Sequence, residues 1–384
     1  MTLRPWTIPV IATTTVLSAT AILTINAPHA IGATSAGCFA APVHYPGTIF
    51  TSGGSGNTLA AADFDGDGKS DLAVTDVAGL GINILHGNGD GSFAFPYRAY
   101  TEPGAYAVTV GDFNGDGAPD LVVANEVLGT MSIALNDGHG GFGFRSIQFA
   151  WQVVPQGLAV ADFDGDGKLD VAVAGAPNVQ VFYGNGDGTM RQGPANLIPG
   201  VPGAVQAGDL NHDGKPDLVV GLSPGKAGVL LNNGDGTFGG YRMQEFGLVT
   251  EMVNLADFNG DGNLDIVTSN LLTFDESVML GNGDGTFRPS TSTFTWDLPE
   301  GMVAGDVDDD GIPDIVTANA VSSGVNILHG NGDGTFVQTA RHQVLPAPQS
   351  PVIADFDGDG LPDIAVASSA LIGVSVLINH PCLH

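Results

Sequence analysis

An acidic nonapeptide occurs seven times along the 384-residue chain, and its side chains are of the types that hold cations. Each copy has the form D-x-[DN]-x-D-G-x-x-D, as in Asp-Phe-Asp-Gly-Asp-Gly-Lys-Leu-Asp at residues 162–170. Oxygens at alternate positions can converge on one cation if the backbone turns sharply, and the glycine at position six permits that turn. We number the copies loop one to loop seven. They begin at Asp63, Asp112, Asp162, Asp209, Asp257, Asp306 and Asp355.

Four side chains and one backbone carbonyl of each loop are the predicted ligands. Positions one, three, five and nine carry side-chain oxygens, whereas position seven offers its carbonyl, so its side chain is free to vary. Loop by loop, the predicted ligands are Asp63, Asp65, Asp67, Lys69 and Asp71; Asp112, Asn114, Asp116, Ala118 and Asp120; Asp162, Asp164, Asp166, Lys168 and Asp170; Asp209, Asn211, Asp213, Lys215 and Asp217; Asp257, Asn259, Asp261, Asn263 and Asp265; Asp306, Asp308, Asp310, Ile312 and Asp314; Asp355, Asp357, Asp359, Leu361 and Asp363.

Calcium is the ion that this ligand set favours. Hard oxygen donors without histidine or thiolate disfavour zinc and copper, and five or more oxygens disfavour magnesium. An EF-hand would need a glutamate at position twelve, where this chain has valine or threonine, as at Val74 and Thr268. The side-chain ligand positions contain 25 carboxylates, whose mutual repulsion opposes folding unless a cation is present. We therefore predict about seven Ca²⁺ ions, one per loop; the alternative is a set of Asx-type turns without metal.

The elements that position these loops are short strands. A run such as 157–161 precedes each loop, a run such as 121–124 follows it, and both have the length and branching of strands. A third run leads into a glycine turn such as Gly-Asn-Gly-Asp-Gly-Thr-Phe at 281–287, and a weaker fourth run reaches the next copy. Four strands in each unit of 47–50 residues predict an all-β, seven-bladed β-propeller of four-stranded blades.

The two ends of the chain are predicted to close the ring together. Residues 39–42 match the start of a fourth strand, and the seventh copy lacks that strand, so the N-terminal strand is expected to complete the last blade. Cys38 and Cys382 are the only cysteines and fall two repeat positions apart around one turn. In an exported protein this favours a disulfide across the seam; free or lipidated thiols are the alternative.

The N-terminal region predicts export. Arg4 precedes a mostly apolar or small stretch from Ile8 to Ile25, and small residues follow, so residues 1–36 resemble a signal peptide cleaved after Ala30 or Ala36, with an uncleaved anchor as the alternative. Residues 37–384 are then the propeller, and no later segment reaches membrane-spanning length. With 41 acids against 11 bases the formal charge is -30, which disfavours nucleic-acid binding.

The repeated Asp-Phe-[Asp/Asn]-Gly-Asp-Gly loop, followed by Asp-Leu-x-Val and Gly-Asn-Gly-Asp-Gly-Thr-Phe, resembles the FG-GAP or VCBS repeat and is similar to the blades of the integrin α-subunit propeller. The resemblance covers the chain after Cys38. It implies a seven-bladed propeller with calcium between the first and second strand of each blade. The chain departs from the pattern in having Asn at position three of three loops and His139 in the second glycine turn. Relatives of this kind include adhesion subunits, lectins and blades attached to enzymes, so the fold names no activity.

A binding or adhesion scaffold is the function that the sequence favours. We expect a secreted or cell-surface monomer without enzymatic activity, whose protein or glycan ligand binds the face opposite the calcium loops. Tyr106, Trp151 and Trp296 are the candidate ligand contacts there; packing between blades is the alternative for these aromatic side chains. A polysaccharide-active enzyme, for example a lyase, is the alternative function; such an enzyme would need clustered Tyr, His and Arg side chains, and Arg341 and His342 lie near one such stretch but have no evident partner.

Overall fold

Short strands joined by tight turns make up the chain, as the repeated sequence predicts. The structure, a computed structural model, describes residues 38–46, 57–76, 81–148, 154–223, 225–245, 250–295, 297–370 and 373–380. These residues belong to one compact unit, residues 33–384. They form strands and turns and no α-helix. Over the same residues, accordingly, no helix is long and apolar enough to cross a bilayer.

Thirty strands are present in the described residues, and most of them form seven four-stranded sheets. The N-terminal strands are β1 (Cys38–Phe39) and β2 (Val43–Pro46). Blades one to three contain β3 (Leu59–Ala62), β4 (Asp71–Asp76), β5 (Gly81–Leu85) and β6 (Tyr97–Tyr100); β7 (Ala105–Gly111), β8 (Asp120–Asn125), β9 (Thr130–Asn136) and β10 (Phe142–Gln148); β11 (Val154–Ala161), β12 (Asp170–Ala176), β13 (Asn178–Gly184) and β14 (Met190–Leu197). Blades four to six contain β15 (Val201–Gly208), β16 (Asp217–Ser223), β17 (Lys226–Leu230) and β18 (Arg242–Glu245); β19 (Thr250–Ala256), β20 (Asp265–Asn270), β21 (Asp275–Met279) and β22 (Thr291–Phe294); β23 (Pro299–Gly305), β24 (Asp314–Asn319), β25 (Gly324–Gly330) and β26 (Phe336–Gln343). The last strands are β27 (Pro348–Ala354), β28 (Asp363–Ser368), β29 (Gly373–Leu377) and β30 (Asn379–His380).

In blades one to six the strands pair antiparallel in chain order as four-stranded meanders, and in blade seven β27, β28 and β29 pair in the same way. The first strand of each blade contacts the first strand of the next, from β3 through β7, β11, β15, β19 and β23 to β27. Contacts between β27 and β3 then close the ring. The predicted all-β, seven-bladed propeller is confirmed.

The core lies between the blades. The second strand of a blade, such as β4 or β8, is buried along its whole length, because neighbouring blades cover both of its faces. One apolar cluster joins Phe64 and Ile84 of blade one to Val108 and Leu121 of blade two, and similar clusters follow around the ring. The outer strands, such as β14, are mostly exposed. Burial therefore decreases from the inner strands to the outer strand of each blade. This decrease explains why the inner strands have branched apolar sequences and the fourth strands do not.

The N-terminal strand completes the last blade, as predicted. β2 pairs with β29 as the outer strand of blade seven, with Val43 opposite Val376. Beside it, β1 pairs with β30, and Cys38 lies opposite His380. Cys382 lies outside the described residues, as does the predicted signal peptide at residues 1–36. The disulfide across the seam and the signal peptide stay predictions.

The antiparallel order assigns the connections to two faces. The seven acidic loops and the glycine turns join strands at one end of every blade, which we call the loop face. The remaining connections lie at the other end, which we call the opposite face.

Candidate metal centres

The carboxylates of each acidic loop are brought together by the turn of the loop. One oxygen each from Asp63, Asp65 and Asp67 of loop one lie within 4.8 Å of one another. Asp162, Asp164 and Asp170 of loop three do the same. Oxygens bonded to one Ca²⁺ at 2.3–2.6 Å lie within about 5 Å of one another. The donor set and its spacing therefore fit the predicted ion.

Backbone hydrogen bonds hold the aspartates at positions one and five of every loop. The first aspartate accepts a hydrogen bond at Oδ2 from the glycine N–H at position six, at 2.7–3.0 Å in all seven loops. The fifth accepts at Oδ1 from the N–H of position seven, at 2.8–3.0 Å. These bonds have the i to i+2 form of an Asx turn or a slightly longer one. Carboxylate oxygens have two lone pairs each, so such bonds leave acceptor capacity for a cation.

The aspartate at position nine of each loop, called the ninth aspartate below, links its loop to the glycine turn of the same blade. Its Oδ2 accepts a hydrogen bond from the N–H of position two at 2.8–3.0 Å. Its Oδ1 accepts from the N–H of the first turn residue at 2.7–2.9 Å. The side chain is buried in every loop. The ninth position therefore has a structural role besides its predicted role as a ligand.

Burial disfavours the ionised form of these ninth aspartates. It raises the pKa of Asp71 and Asp217 above the usual value, and it raises the pKa to about 6 for five others, although the backbone hydrogen bonds oppose this. Those five are Asp120, Asp170, Asp265, Asp314 and Asp363. Neighbouring aspartates raise the pKa further in most loops, as Asp116 does for Asp120. A bound cation would act in the opposite direction.

Three of the position-seven side chains provide positive charge to their own loop. Lys69 Nζ lies 2.6 Å from Asp67 Oδ2, and Lys168 Nζ lies 2.8 Å from Asp166 Oδ2. These contacts lower the pKa of both aspartates, with the side-chain hydrogen bond as the main cause. Lys215 Nζ lies 3.4 Å from Asp213 Oδ2. The lysines are exposed, so they neutralise the loop only partly.

Each loop is also bonded to the next blade. The carbonyl at position two accepts a hydrogen bond from the next glycine turn in all seven cases, for example from Gly91 N–H to Phe356 at 3.1 Å and from Asn232 Nδ2 to Phe163 at 2.9 Å. Four of the five phenylalanine rings at this position pack edge-on against the ring that ends the next turn, as Phe258 does with Phe336 at 5.2 Å between centroids. The acidic loops therefore join neighbouring blades.

The first residue of each glycine turn is either glycine or asparagine, for a steric reason. A Cβ at Gly184 would lie 2.2 Å from the Leu169 carbonyl oxygen, which excludes a side chain in that geometry. Where asparagine replaces glycine, as at Asn232, its Nδ2 donates to the equivalent carbonyl, that of Pro216, at 3.0 Å. The backbone at Asn232 thus accommodates a Cβ, and the amide donates to the carbonyl that lies beside this position.

Two histidines, His86 and His329, lie at the loop carboxylates. They occupy the position before the glycine turn, where leucine stands in three other blades. His86 Nδ1 lies 3.2 Å from Asp71 Oδ2 and 3.3 Å from Asp65 Oδ2. His329 Nδ1 lies 3.0 Å from Asp308 Oδ2 and 3.3 Å from Asp314 Oδ1. These contacts arise because the third strand of the blade pairs with the second strand, which begins at the end of the acidic loop.

The candidate ligand contacts on the opposite face have different positions. Tyr106 is only 5% exposed and packs in the core between blades two and three, so it offers almost no surface to a ligand. Trp151 and Trp296 lie outside the described residues. Arg341 Nη2 lies 3.4 Å from Asp297 Oδ2, whereas the ring of His342 packs edge-on against Phe39. Arg341 and His342 therefore contact different partners and form no joint site.

Solved structures with this fold bind different partners. The chain is similar to BBS1N, solved in complex with ARL6DN, with 12% identity and a TM-score of 0.64 over 91% of this chain and 99% of that chain. It is also similar to an Agrocybe aegerita lectin solved for its recognition of non-reducing terminal N-acetylglucosamine, with 20% identity and a TM-score of 0.53 over 82% of this chain and 86% of the lectin. At these identities the likeness concerns the fold alone. A comparison with curated protein sequences gave no match.

The family model of the FG-GAP-like repeat matches the chain five times, in segments that each begin at one acidic loop and end just after the next. The matched residues are 63–123, 112–173, 162–220, 209–268 and 306–366. These segments cover more than half of the chain, and they contain the loop geometry described above. The chain therefore belongs to the FG-GAP-like repeat family.

Proposed function

We propose that this protein is a secreted or cell-surface propeller that binds about seven Ca²⁺ ions and serves as a binding or adhesion scaffold, without enzymatic activity of its own. One observation carries the proposal. The same acidic loop occurs seven times on one face of a closed ring, and each copy joins its blade to the next. An ion in each loop would therefore stabilise the whole ring.

Calcium is supported by the chemistry of the loops. Positions one, three, five and nine would supply side-chain oxygens, and position seven its carbonyl, from hard donors of the kind that calcium takes. The ninth aspartate is buried with a raised pKa, so its ionised form is unfavourable without a nearby positive charge. The Asx-type hydrogen bonds do not compete with this proposal, because they orient the same carboxylates.

A scaffold is supported by the repetition of the charged clusters on the loop face. The acidic loops repeat sevenfold, whereas catalysis normally uses one distinctive site. Arg341 and His342, which lie near the stretch considered for a polysaccharide-active enzyme, contact Asp297 and Phe39 separately. Among the described residues, Arg341 and His342 therefore do not form a catalytic group that would favour the enzyme alternative.

The opposite face is the proposed ligand surface. Large apolar side chains are exposed in its connections, among them Val127, Leu128, Leu272, Phe274 and Val321. Exposed apolar residues gathered on one face are typical of an interaction surface. The structural neighbours are compatible with both ligand classes, since BBS1N is solved with ARL6DN and the lectin recognises a glycan. We propose a protein or glycan ligand here, and a monomeric propeller.

The calcium proposal is tested by thermal unfolding and native mass spectrometry of the mature protein. We expect chelator to lower the melting temperature strongly, added calcium to restore it, and about seven ions to be counted per chain. Replacing Asp164, a predicted ligand of loop three, by alanine should remove one ion. Replacing Asp187 by alanine is the matched control, because this exposed carboxylate lies in a glycine turn of the same blade. Melting curves that chelator leaves unchanged would contradict the proposal.

The scaffold proposal is tested by ligand screening. The calcium-loaded protein is applied to a glycan array and to extracellular protein preparations, and the same polysaccharides are assayed for turnover. Binding without cleavage is the expected result. Cleavage of a bound polysaccharide would replace the scaffold by the enzyme alternative.

A further inference from the structure

Loop six differs from the other loops in its surroundings. His329, the last residue but one of β25, extends its ring into the loop, so a nitrogen donor joins the carboxylates. Leucine occupies the same repeat position in blades two, four and five. In these blades the side chain before the glycine turn therefore adds no nitrogen donor to the acidic loop.

The ring of His329 is placed between three carboxylates. Its Nδ1 lies 3.0 Å from Asp308 Oδ2 and 3.3 Å from Asp314 Oδ1. On the other side of the ring, Nε2 faces Asp310 Oδ2 at 3.7 Å. A carboxylate on the far nitrogen is the usual second contact of a metal-binding histidine, because it orients the ring and makes the ligating nitrogen more basic.

Two atoms at this point are buried without hydrogen bonds. The Asp308 side chain is 6% exposed, and although the Asp310 N–H is close to its carboxylate, Oδ1 has no hydrogen-bond partner of normal geometry among the described residues. The Nδ1 of His329 is likewise buried, and its contacts with the two carboxylates lack hydrogen-bond geometry. In the six other loops the oxygen at position three accepts a hydrogen bond from the N–H of position five, at 2.9–3.3 Å. Buried polar groups without partners are costly, so these atoms point to a ligand that is not part of the chain.

The two distances from His329 Nδ1 to the carboxylate oxygens suit an ion with shorter bonds than calcium. Donor atoms held at about 2.0–2.2 Å from one ion lie roughly 2.8–3.6 Å apart in octahedral or tetrahedral geometry. The contacts of His329 fall within this interval. Calcium has longer bonds and prefers oxygen, whereas imidazole together with carboxylate suits zinc and its first-row neighbours.

We propose that loop six binds a zinc ion through His329 Nδ1, Asp308 and Asp314, in place of the calcium ion assigned to the other loops. Three protein ligands leave a fourth position for water. Asp310 faces the other ring nitrogen at 3.7 Å. The inference goes beyond the proposed function, because it stands on the geometry of one loop and does not require calcium in the other six.

Loop one contains a similar but less complete cluster and serves as the internal comparison. His86 Nδ1 makes a hydrogen bond with Asp71 Oδ2, and Asp65 Oδ1 accepts one from the Asp67 N–H at 3.1 Å. Its donor atoms therefore have partners within the chain. We expect zinc to prefer loop six.

The test is a zinc titration of the full mature protein in excess calcium, followed by native mass spectrometry and a competing zinc indicator. We expect one zinc ion per chain to replace one calcium ion. The variant His329→Leu, which uses the residue found at this position in three other blades, should lower zinc affinity at least about 100-fold. It should retain the calcium ions of the six other loops. His86→Leu is the matched control and should leave the tight zinc site intact.

Three results would overturn the proposal: no zinc bound in excess calcium, unchanged zinc affinity in His329→Leu, or loss of the site in His86→Leu alone. If His329→Leu does not fold, anomalous scattering at the zinc edge from zinc-soaked crystals of the unaltered protein decides the matter, since density away from His329 contradicts the assignment. Should the protein bind no calcium at all, the same zinc titration without calcium still tests loop six, so the two proposals fail separately.

Discussion

The most strongly perturbed carboxyl group outside the acidic loops belongs to Glu276 in β21. Its side chain is 1% exposed, and neither oxygen has a hydrogen-bond partner among the described residues. Burial raises the pKa of Glu276 well above the usual value, and the charge of Asp275 adds to this effect. Because the folded-state pKa is the higher one, the favourable contribution of this group is complete below the unfolded value of about 4.3 and is lost as the pH rises towards the folded value.

We predict that Glu276→Gln stabilises the protein at neutral pH and has little effect near pH 4. The gain in unfolding free energy should grow by about 1.4 kcal/mol per pH unit above the unfolded pKa, until the folded-state pKa is passed. Urea unfolding of both proteins at several pH values in constant calcium measures it. Glu245→Gln, at an exposed side chain, is the control and should show no such trend. Stability curves of wild type and Glu276→Gln that run parallel with pH would show that Glu276 ionises normally.

At the scale of elements, the same contact joins each pair of neighbouring blades. In this contact, which we call the joint, an acidic loop bonds the glycine turn of the next blade. The turn residue Asn232 shows this most clearly, because its Nδ2 donates to the Phe163 carbonyl of the preceding blade and to the Pro216 carbonyl of its own blade. Both acceptors are in the interior of the joint. Loss of the amide would leave two carbonyl groups without this donor.

We predict that Asn232→Ala lowers the unfolding free energy by about 1–3 kcal/mol, the usual cost of buried groups left without hydrogen bonds. Chemical denaturation in saturating calcium measures the change. The neighbouring Asn233 is the matched control, since its exposed amide binds only the Thr237 hydroxyl in the same turn. Equal effects of Asn232→Ala and Asn233→Ala would mean that the joint contributes little.

At the scale of the whole molecule, ring closure joins the two ends of the described chain. β2 and β29 share a blade although they are separated by more than 300 residues in sequence. β1 and β30 extend the seam and set Cys38 opposite His380, two residues before Cys382. This register is compatible with the predicted disulfide.

We predict that the exported protein contains no free thiol and that Cys38→Ser lowers its stability by up to roughly 5 kcal/mol, the chain-entropy value for a loop of this length. Non-reducing mass spectrometry and thermal unfolding with and without reductant measure the two effects. Reductant should destabilise wild type and leave Cys38→Ser unchanged. Two titratable thiols in the native protein would exclude the seam disulfide.

The sequence by itself determined the number of blades, the positions of the acidic loops and the strand that closes the ring. These features are encoded locally, because each loop, turn and apolar run lies within one repeat of about fifty residues. Because the repeat occurs seven times, each loop and strand could be identified from seven copies of the same pattern. The proposal of calcium in the loops likewise rests on residues that are close in sequence.

Only the tertiary structure decided which neighbours the loops meet. Asn232 and Phe163 are 69 residues apart, and they touch because blades pack face to face. The same packing buries Tyr106, which the sequence could not distinguish from an exposed aromatic. His329 reaches Asp308 and Asp314 because the third strand of a blade pairs with the second, so a position that tolerates leucine elsewhere becomes a metal ligand candidate. Contacts of this kind depend on strand pairing and blade packing, which leave no periodic signal in a single sequence.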